Sequence, residues 1–323
     1  MIGKYRIEVY DNHISYKFEV KRNITVIQGN SASGKTELVR LISDYNRSGA
    51  SSGVTLLCEK ECVALNVMDW ENYIRQAHEK IIFIDENNTY VKTQRFAEAV
   101  QYSDNYFVLI YRDSLHQLSY SVDEIYGIRE ARDSQKYVNI RPVYNELYKL
   151  YNLMKPGPVR PDLVITEDTN AGYECFKAIF SCPCVFAGGK TKVAKWMSEA
   201  GKEVGKILII VDGAAFGADI QEVMRKIRSF NTDCVLYAPE SFEFLLLKSG
   251  ILDVNEDVLE HTYQYADSKT YLSWERFYTA YLIEKSENTI YHYKKEKLNQ
   301  AYLSKRNLKM IAAQMPELIE TGQ

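Results

Sequence analysis

The chain opens on two short stretches in which apolar and polar residues alternate, "KYRIEVY" and "SYKFEV", on either side of the turn signal "DNH". Period-two alternation around such a turn predicts a β-hairpin. A third apolar run, "ITVIQ", leads into the glycine turn "GNSASGKT" and then into "ELVRLI", whose apolar residues recur at helical spacing. Strand, turn and helix are predicted in that order. Further on, "GVTLLCEKECVALNV" reads as a strand pair and "WENYIRQAH" as a short helix, while "KIIFIDEN" and "YFVLIYRDS" read as buried strands. After "SVDEIYGI", the stretch "VYNELYKLYNLM" reads as an apolar helix.

The segment "KPGPVRPD", Lys155 to Asp162, carries three prolines and a glycine and is the clearest linker in the chain. Beyond it the pattern restarts: "DLVIT", "NAGYECFKAIF", "CPCVFAG", "TKVAKWMSEAG", "KILIIVD", "DIQEVMRKIRS" and "DCVLYA" alternate strand and helix. Such alternation predicts a parallel sheet flanked by helices. From about Asp257 helices take over, in "YLSWERFYTAYLIEK" and "KLNQAYLSKRNLKMIAAQM". Trp274, Phe277, Tyr278 and Tyr281 fall at helical spacing and read as residues that dock this extension on the second sheet. The fold class is therefore α/β. Its parts are a first α/β domain over 1–154, a linker over 155–161, a second doubly wound α/β domain over 162–256 and a helical extension over 257–323.

At 323 residues the chain can bury two cores, and 46% hydrophobic with 26% charged residues is a globular composition. No segment approaches the roughly 18 uninterrupted apolar residues of a spanning helix. The first residues carry no apolar signal core either, so a cytoplasmic location without a membrane partner is expected. The six cysteines lack the two-plus-two arrangement of a zinc site and read as buried reduced thiols. A net charge of -3 rules out a uniformly basic nucleic-acid binder, so any DNA or RNA contact must rest on a local patch. The best such patch is Tyr291 to Lys309, "YHYKKEKLNQAYLSKRNLK", where tyrosines for stacking are interleaved with basic side chains. The alternative is a solvated helical face.

Gly29, Gly34, Lys35 and Thr36 satisfy G-x-x-x-x-G-K-[ST], with a strand before and a helix after. In a phosphate cradle of this kind the backbone N–H groups from Gly29 through Asn30, Ser31, Ala32 and Ser33 to Gly34 face the anion. Lys35 reaches the β and γ phosphates, and the Thr36 hydroxyl ligates Mg2+. "KIIFIDEN" ends in Asp85 and Glu86, placed to hold Mg2+ through water and to orient or deprotonate the attacking water. The competing readings are a glycine turn with a solvated lysine and a strand ending in two solvated acids. No N-K-x-D motif is present, which favours ATP over GTP.

In the second half, acids at the carboxyl ends of parallel strands are the candidates for chemistry. Glu167 closes the first strand, beside Asp168, and Asp212 closes the third, 45 residues later. Two such carboxylates suit a divalent metal, although acids at these places also serve as helix caps. "AGGKTK", Ala187 to Lys192, reads as a tight strand-to-helix turn or as one whose Lys190 meets a substrate phosphate.

The Lys35 and Asp85 motifs resemble those of ABC, RecF and OLD-like P-loop ATPases. In that resemblance Arg112, at the end of "YFVLIYR", matches the polar residue that senses the γ phosphate, the alternative being a surface arginine. The helical arm and LSGGQ-like signature of those relatives are absent. "VITED" with "IIVDGAAFGAD" resembles the Toprim domain, whose pattern is an acid after the first strand and D-x-D after the third. Ala214 stands where the second acid belongs; Asp219 lies further on, and Glu240 or Glu243 are the substitutes within reach in sequence. The order of the two halves resembles the OLD-family nucleases and bacterial anti-phage ATPase–Toprim proteins. This resemblance implies an ATP-controlled, Mg2+-dependent nuclease acting on phage or foreign nucleic acid. Glu86, Lys35, Arg112 and Glu167 would be its catalytic residues and Thr36, Asp85, Glu167 and Asp212 its metal ligands. The alternative is an ATP-dependent regulator with an inactive second domain that binds a partner. A homo-oligomer and a partner protein both remain open.

Overall fold

The computed structural model describes residues 1–29, 34–130, 143–151, 158–200, 205–229 and 233–322. The chain is mixed α/β and divides into two units, Met1–Tyr151 with Tyr263–Ser273, and Asn152–Thr262 with Trp274–Gln323. The extension expected over 257–323 is therefore split. Residues 263–273 belong with the first unit, where the Asn23 side-chain amide donates to the Ser268 carbonyl at 2.9 Å and the Gly3 N–H to the Tyr263 carbonyl at 2.6 Å.

In the first unit the predicted hairpin is β1 (Tyr5–Tyr10) and β2 (Ile14–Val20), paired antiparallel. "ITVI" forms β3 (Ile24–Ile27), followed by α1 (Lys35–Ser48). The helix buries Leu38, Val39, Leu41 and Ile42 in a core shared with Ile7, Phe18 and Ile81. Each such side chain contributes roughly 1.5–3 kcal/mol on full burial. Its outer face carries Arg40, paired with Glu37 and Asp44 one turn to either side.

The strand pair expected next is divided. β4 (Thr55–Leu57) pairs with β1, whereas β5 (Cys62–Ala64) pairs with β6 (Ile81–Ile84). The nine-stranded sheet runs β4, β1, β2, β9, β8, β3, β7, β6, β5, so these two short strands are its opposite edges. Only residues 58–61 join them, which requires the sheet to roll until its edges approach. Contacts across the roll agree, with Tyr5 of β1 and Tyr106 of β7 (Tyr106–Ile110) at 6.0 Å between ring centroids, and Phe18 and Phe83 at 6.3 Å. Between β5 and β7 lie α2 (Trp70–Gln76) and α3 (Gln94–Gln101).

The stretch expected as an apolar helix, "VYNELYKLYNLM", instead supplies β9 (Val143–Lys149), beside β8 (Ile125–Glu130). β9 runs parallel to β2 and antiparallel to β8, so both flanking strands satisfy its backbone. Two ladders outweigh a weak helical periodicity in a tyrosine-rich segment that tolerates either state. Residues 155–157 of the expected linker lie outside the described residues. Val159 forms a bridge with Ile319 in the second unit.

The second unit follows the predicted alternation: β10 (Leu163–Thr166), α4 (Ala171–Ile179), β11 (Cys184–Phe186), α5 (Lys190–Ala200), β12 (Lys206–Ile210), α6 (Ile220–Ser229) and β13 (Asp233–Tyr237). All four strands are parallel, in the order β11, β10, β12, β13. The chain leaves β10 for β11 on one side and returns for β12 on the other. The strand order thus reverses between β10 and β12, where their carboxyl ends open a crevice.

After β13 come α7 (Phe242–Lys248), α8 (Glu256–Glu260), α9 (Trp274–Ser286) and α10 (Lys305–Ala312). Trp274, Phe277 and Tyr278 are buried as expected. Their support is α7 rather than the sheet, with Phe244 and Tyr278 at 4.9 Å between ring centroids. The run 291–309 is not one helical face. A Lys294 to Lys297 bridge, a 3-10 turn over Gln300–Leu303 and the start of α10 break it into three.

Candidate functional site

In the first unit β7 lies between β3 and β6, and all three run parallel. Their carboxyl ends therefore share one edge of the sheet and deliver the residues after Ile27, Ile110 and Ile84 side by side. The Tyr111 N–H donates to the Ile27 carbonyl at 3.2 Å, which carries the ladder one step beyond the strands. Lys35, Asp85, Glu86 and Arg112 are brought together in this way.

Lys35 is buried, and its ammonium donates to the Gly29 carbonyl at 2.7 Å. Burial and the nearby Arg112 guanidinium hold it below the ordinary lysine range, with Glu86 and Asp85 pulling the other way. Gly34 begins α1 with a φ of 81°, a left-handed conformation that suits glycine. Its carbonyl accepts from the Tyr16 hydroxyl at 2.6 Å, and a Cβ at this position would stand 2.7 Å from that same oxygen. Tyr16 thus clamps the end of the glycine turn, a role that no local motif announces. Thr36 sits in the first turn of α1 and is exposed. Asn30, Ser31, Ala32 and Ser33 lie outside the described residues.

Asp85 is buried; one of its oxygens accepts from the Glu86 N–H at 2.7 Å and the other from the Asn87 amide at 3.3 Å. Glu86 meets Arg112 in a two-pronged ion pair, Nε to Oε2 at 2.8 Å and Nη2 to Oε1 at 2.9 Å.

In the second unit the expected acids do converge. The Glu167 N–H continues the ladder to the Ile210 carbonyl at 2.9 Å, and the Asp212 N–H donates to Glu167 Oε2 at 3.3 Å. Asp212 Oδ1 accepts from the N–H of Phe242, at the head of α7. Gly213 has no room for a side chain, since a Cβ would meet the Pro239 carbonyl oxygen at 2.7 Å. The two acids line a hollow of about 20 Å³ with Thr166, Asp168 and Phe242, enough for one water-sized guest. Burial pushes the Glu167 carboxyl up to about 7, reinforced by Glu275 and Asp219 and opposed by the Asp212 N–H and Lys190. Burial likewise raises Asp212 well above its ordinary value, with Glu275 and Glu243 adding to it.

Asp168 acts instead as a helix cap, its oxygens accepting from the Asn170 and Gly172 N–H groups at the start of α4. Lys190 opens α5 directly after the tight turn at Gly188 and Gly189, and its ammonium donates to the Ala215 carbonyl at 3.3 Å. Of the proposed substitute acids, Glu243 is buried and accepts from the Tyr293 hydroxyl at 2.8 Å. The acid that sequence reasoning missed is Glu275, on α9, which acts on Glu167 and Asp212 and pairs with Lys295 at 2.6 Å. Its only sequence signal was a lone carboxylate within an aromatic run. Tyr293 and Tyr302 are buried, which removes two of the three rings expected to stack on nucleic acid.

Comparison with known proteins finds no family model, no curated protein and no solved structure that matches this chain. Among the described residues no helix is long and apolar enough to cross a membrane, and no three His, Cys, Asp or Glu side chains gather in metal-binding geometry. A larger hollow, about 330 Å³, lies at the amino ends of β6 and β7, away from Lys35. Several of its polar groups are paired with one another, Arg75 and Arg95 with Glu71 and His78 with Asp104.

Proposed function

We propose that the chain is an ATP hydrolase whose nucleotide state controls a metal-dependent nuclease centre in the second unit, in defence against phage or other foreign nucleic acid. The observation that carries the first half is the convergence of Lys35, Asp85, Glu86 and Arg112 at adjacent parallel strand ends. A buried ammonium on a backbone carbonyl, with acids close by, suits a phosphate: the anion replaces the carbonyl and favours the ammonium form of Lys35. Thr36 and Asp85 would hold Mg2+, which neutralises phosphate charge when bound. Glu86 orients the attacking water and takes its proton once its oxygens are released, and Arg112 reads the γ phosphate.

The second half rests on Glu167 and Asp212 at the point where strand order reverses. Two carboxylates raised chiefly by desolvation, with Glu275 adding to both, gain from a cation. Mg2+ is commonly held by one or two carboxylates, with water and substrate phosphate completing its shell. These residues therefore fit one divalent ion, which would polarise a phosphodiester beside it.

A second reading is favoured by Ala214 standing where an acid is expected and by the Lys295 to Glu275 pair, both of which reduce the demand for metal. In that reading the second unit binds a partner and cuts nothing. Nicking of plasmid DNA with ATP and Mn2+ separates the two. Cleavage lost in Glu167→Ala supports the nuclease; ATP hydrolysis without cleavage of DNA or RNA supports the regulator.

A further inference from the structure

Lys295 lies in the segment between α9 and α10, and its ammonium is 2.6 Å from Glu275 Oε1. Glu275 lends its negative charge to both Glu167 and Asp212, and Lys295 opposes it at Asp212. Burial works against the Lys295 charge, but Glu275, Glu243 and Asp212 hold it in the ammonium form.

The segment is fixed to the elements that frame the crevice. The Lys295 carbonyl accepts from the Ala171 N–H at the start of α4, at 3.4 Å. The Leu298 N–H donates to Glu174 Oε2 at 3.2 Å, again on α4, and the Tyr293 hydroxyl ties the other side to Glu243 on α7. This lysine is therefore placed by bonds on both sides of it, with its side chain 42% exposed.

Ala214 is buried and brings no carboxylate to the turn after β12. We propose that Lys295 is the built-in counter-cation of the Glu167 and Asp212 site, supplying the positive charge that a second divalent ion would otherwise bring and limiting the site to one. The proposal rests on the reading of this crevice as a divalent-metal site. A fixed charge that acts on Asp212 also acts on a divalent ion held there, and removing it is expected to shift affinity by about an order of magnitude.

The test is Mn2+ binding to the full chain without nucleotide, following free Mn2+ by electron paramagnetic resonance. Wild type is expected to take up one ion, lost in Glu167→Gln. Lys295→Met, which keeps the apolar stem and deletes the charge, is expected to bind Mn2+ at least about tenfold more tightly or to take up a second ion. Lys295→Gln is expected to do the same, and Lys295→Arg to behave as wild type. Wild-type affinity and stoichiometry in both neutral variants would overturn the role of Lys295 while leaving the metal site standing. Uptake that is indifferent to Glu167→Gln in wild type and in Lys295→Met would instead overturn the metal site, and the proposal with it.

Discussion

Arg112 and Glu86 grip each other through both prongs of the guanidinium and both oxygens of the carboxylate, at 2.8 and 2.9 Å. They come from neighbouring strands, β7 and β6, at the edge where Lys35 also lies. In this arrangement the expected base is occupied by the expected γ-phosphate sensor, so the phosphate and Glu86 compete for one guanidinium. Glu86→Gln is expected to tighten binding of a non-hydrolysable ATP analogue about tenfold, and ADP much less. The same change in an Arg112→Ala background should give no such gain. Titration calorimetry on the four proteins checks this, and an equal gain in both backgrounds contradicts it.

Gly34 and Tyr16 make a second coupled pair. Gly34→Ala places a Cβ on a left-handed residue, costing about 1–2 kcal/mol, and also presses it against the Tyr16 hydroxyl. Tyr16→Phe removes that oxygen and loses the hydrogen bond to the Gly34 carbonyl, at about 1 kcal/mol. The double variant should therefore be less destabilised than the two single costs added together. Urea unfolding of the first unit gives the comparison; strict additivity would count against the contact.

The cysteines differ more than their sequence setting suggests. Cys62, Cys175 and Cys234 are buried, but Cys58, Cys182 and Cys184 are only partly so. The neighbouring Cys62 thiol, helped by the Lys60 and Glu59 backbone, brings Cys58 down to about 7 against the effect of burial. The thiolate is the reactive form, so raising the pH from 6 to 8 should carry Cys58 through its titration and speed its alkylation. At pH 7 a short iodoacetamide pulse should mark Cys58 before Cys182, which burial pushes up. Cys62→Ala should slow that labelling. Equal labelling of Cys58 and Cys182 by peptide mass spectrometry would refute the influence of Cys62 on Cys58.

What was legible in the sequence were features set by local periodicity and glycine placement. The β10 to β13 alternation and the strand-end positions of Lys35, Asp85, Glu167 and Asp212 depend on a few neighbouring residues. What escaped depends on distant ones. β9 is a strand because β2 and β8 flank it, and β4 and β5 part company because the sheet rolls. Glu275 and Lys295 come to act on the acids of the Glu167 crevice through packing on α7 and α4, which no spacing along the chain encodes. The tyrosines at 293 and 302 look alike in sequence to stacking residues and to core residues, and burial alone separates the two.

The most direct test of the account is release of phosphate from ATP by the full chain with Mg2+. The account predicts turnover by wild type, its loss in Lys35→Ala together with ATP binding, and its loss in Glu86→Gln with ATP binding kept. Turnover in Lys35→Ala equal to wild type, or no binding of ATP by wild type, would contradict it.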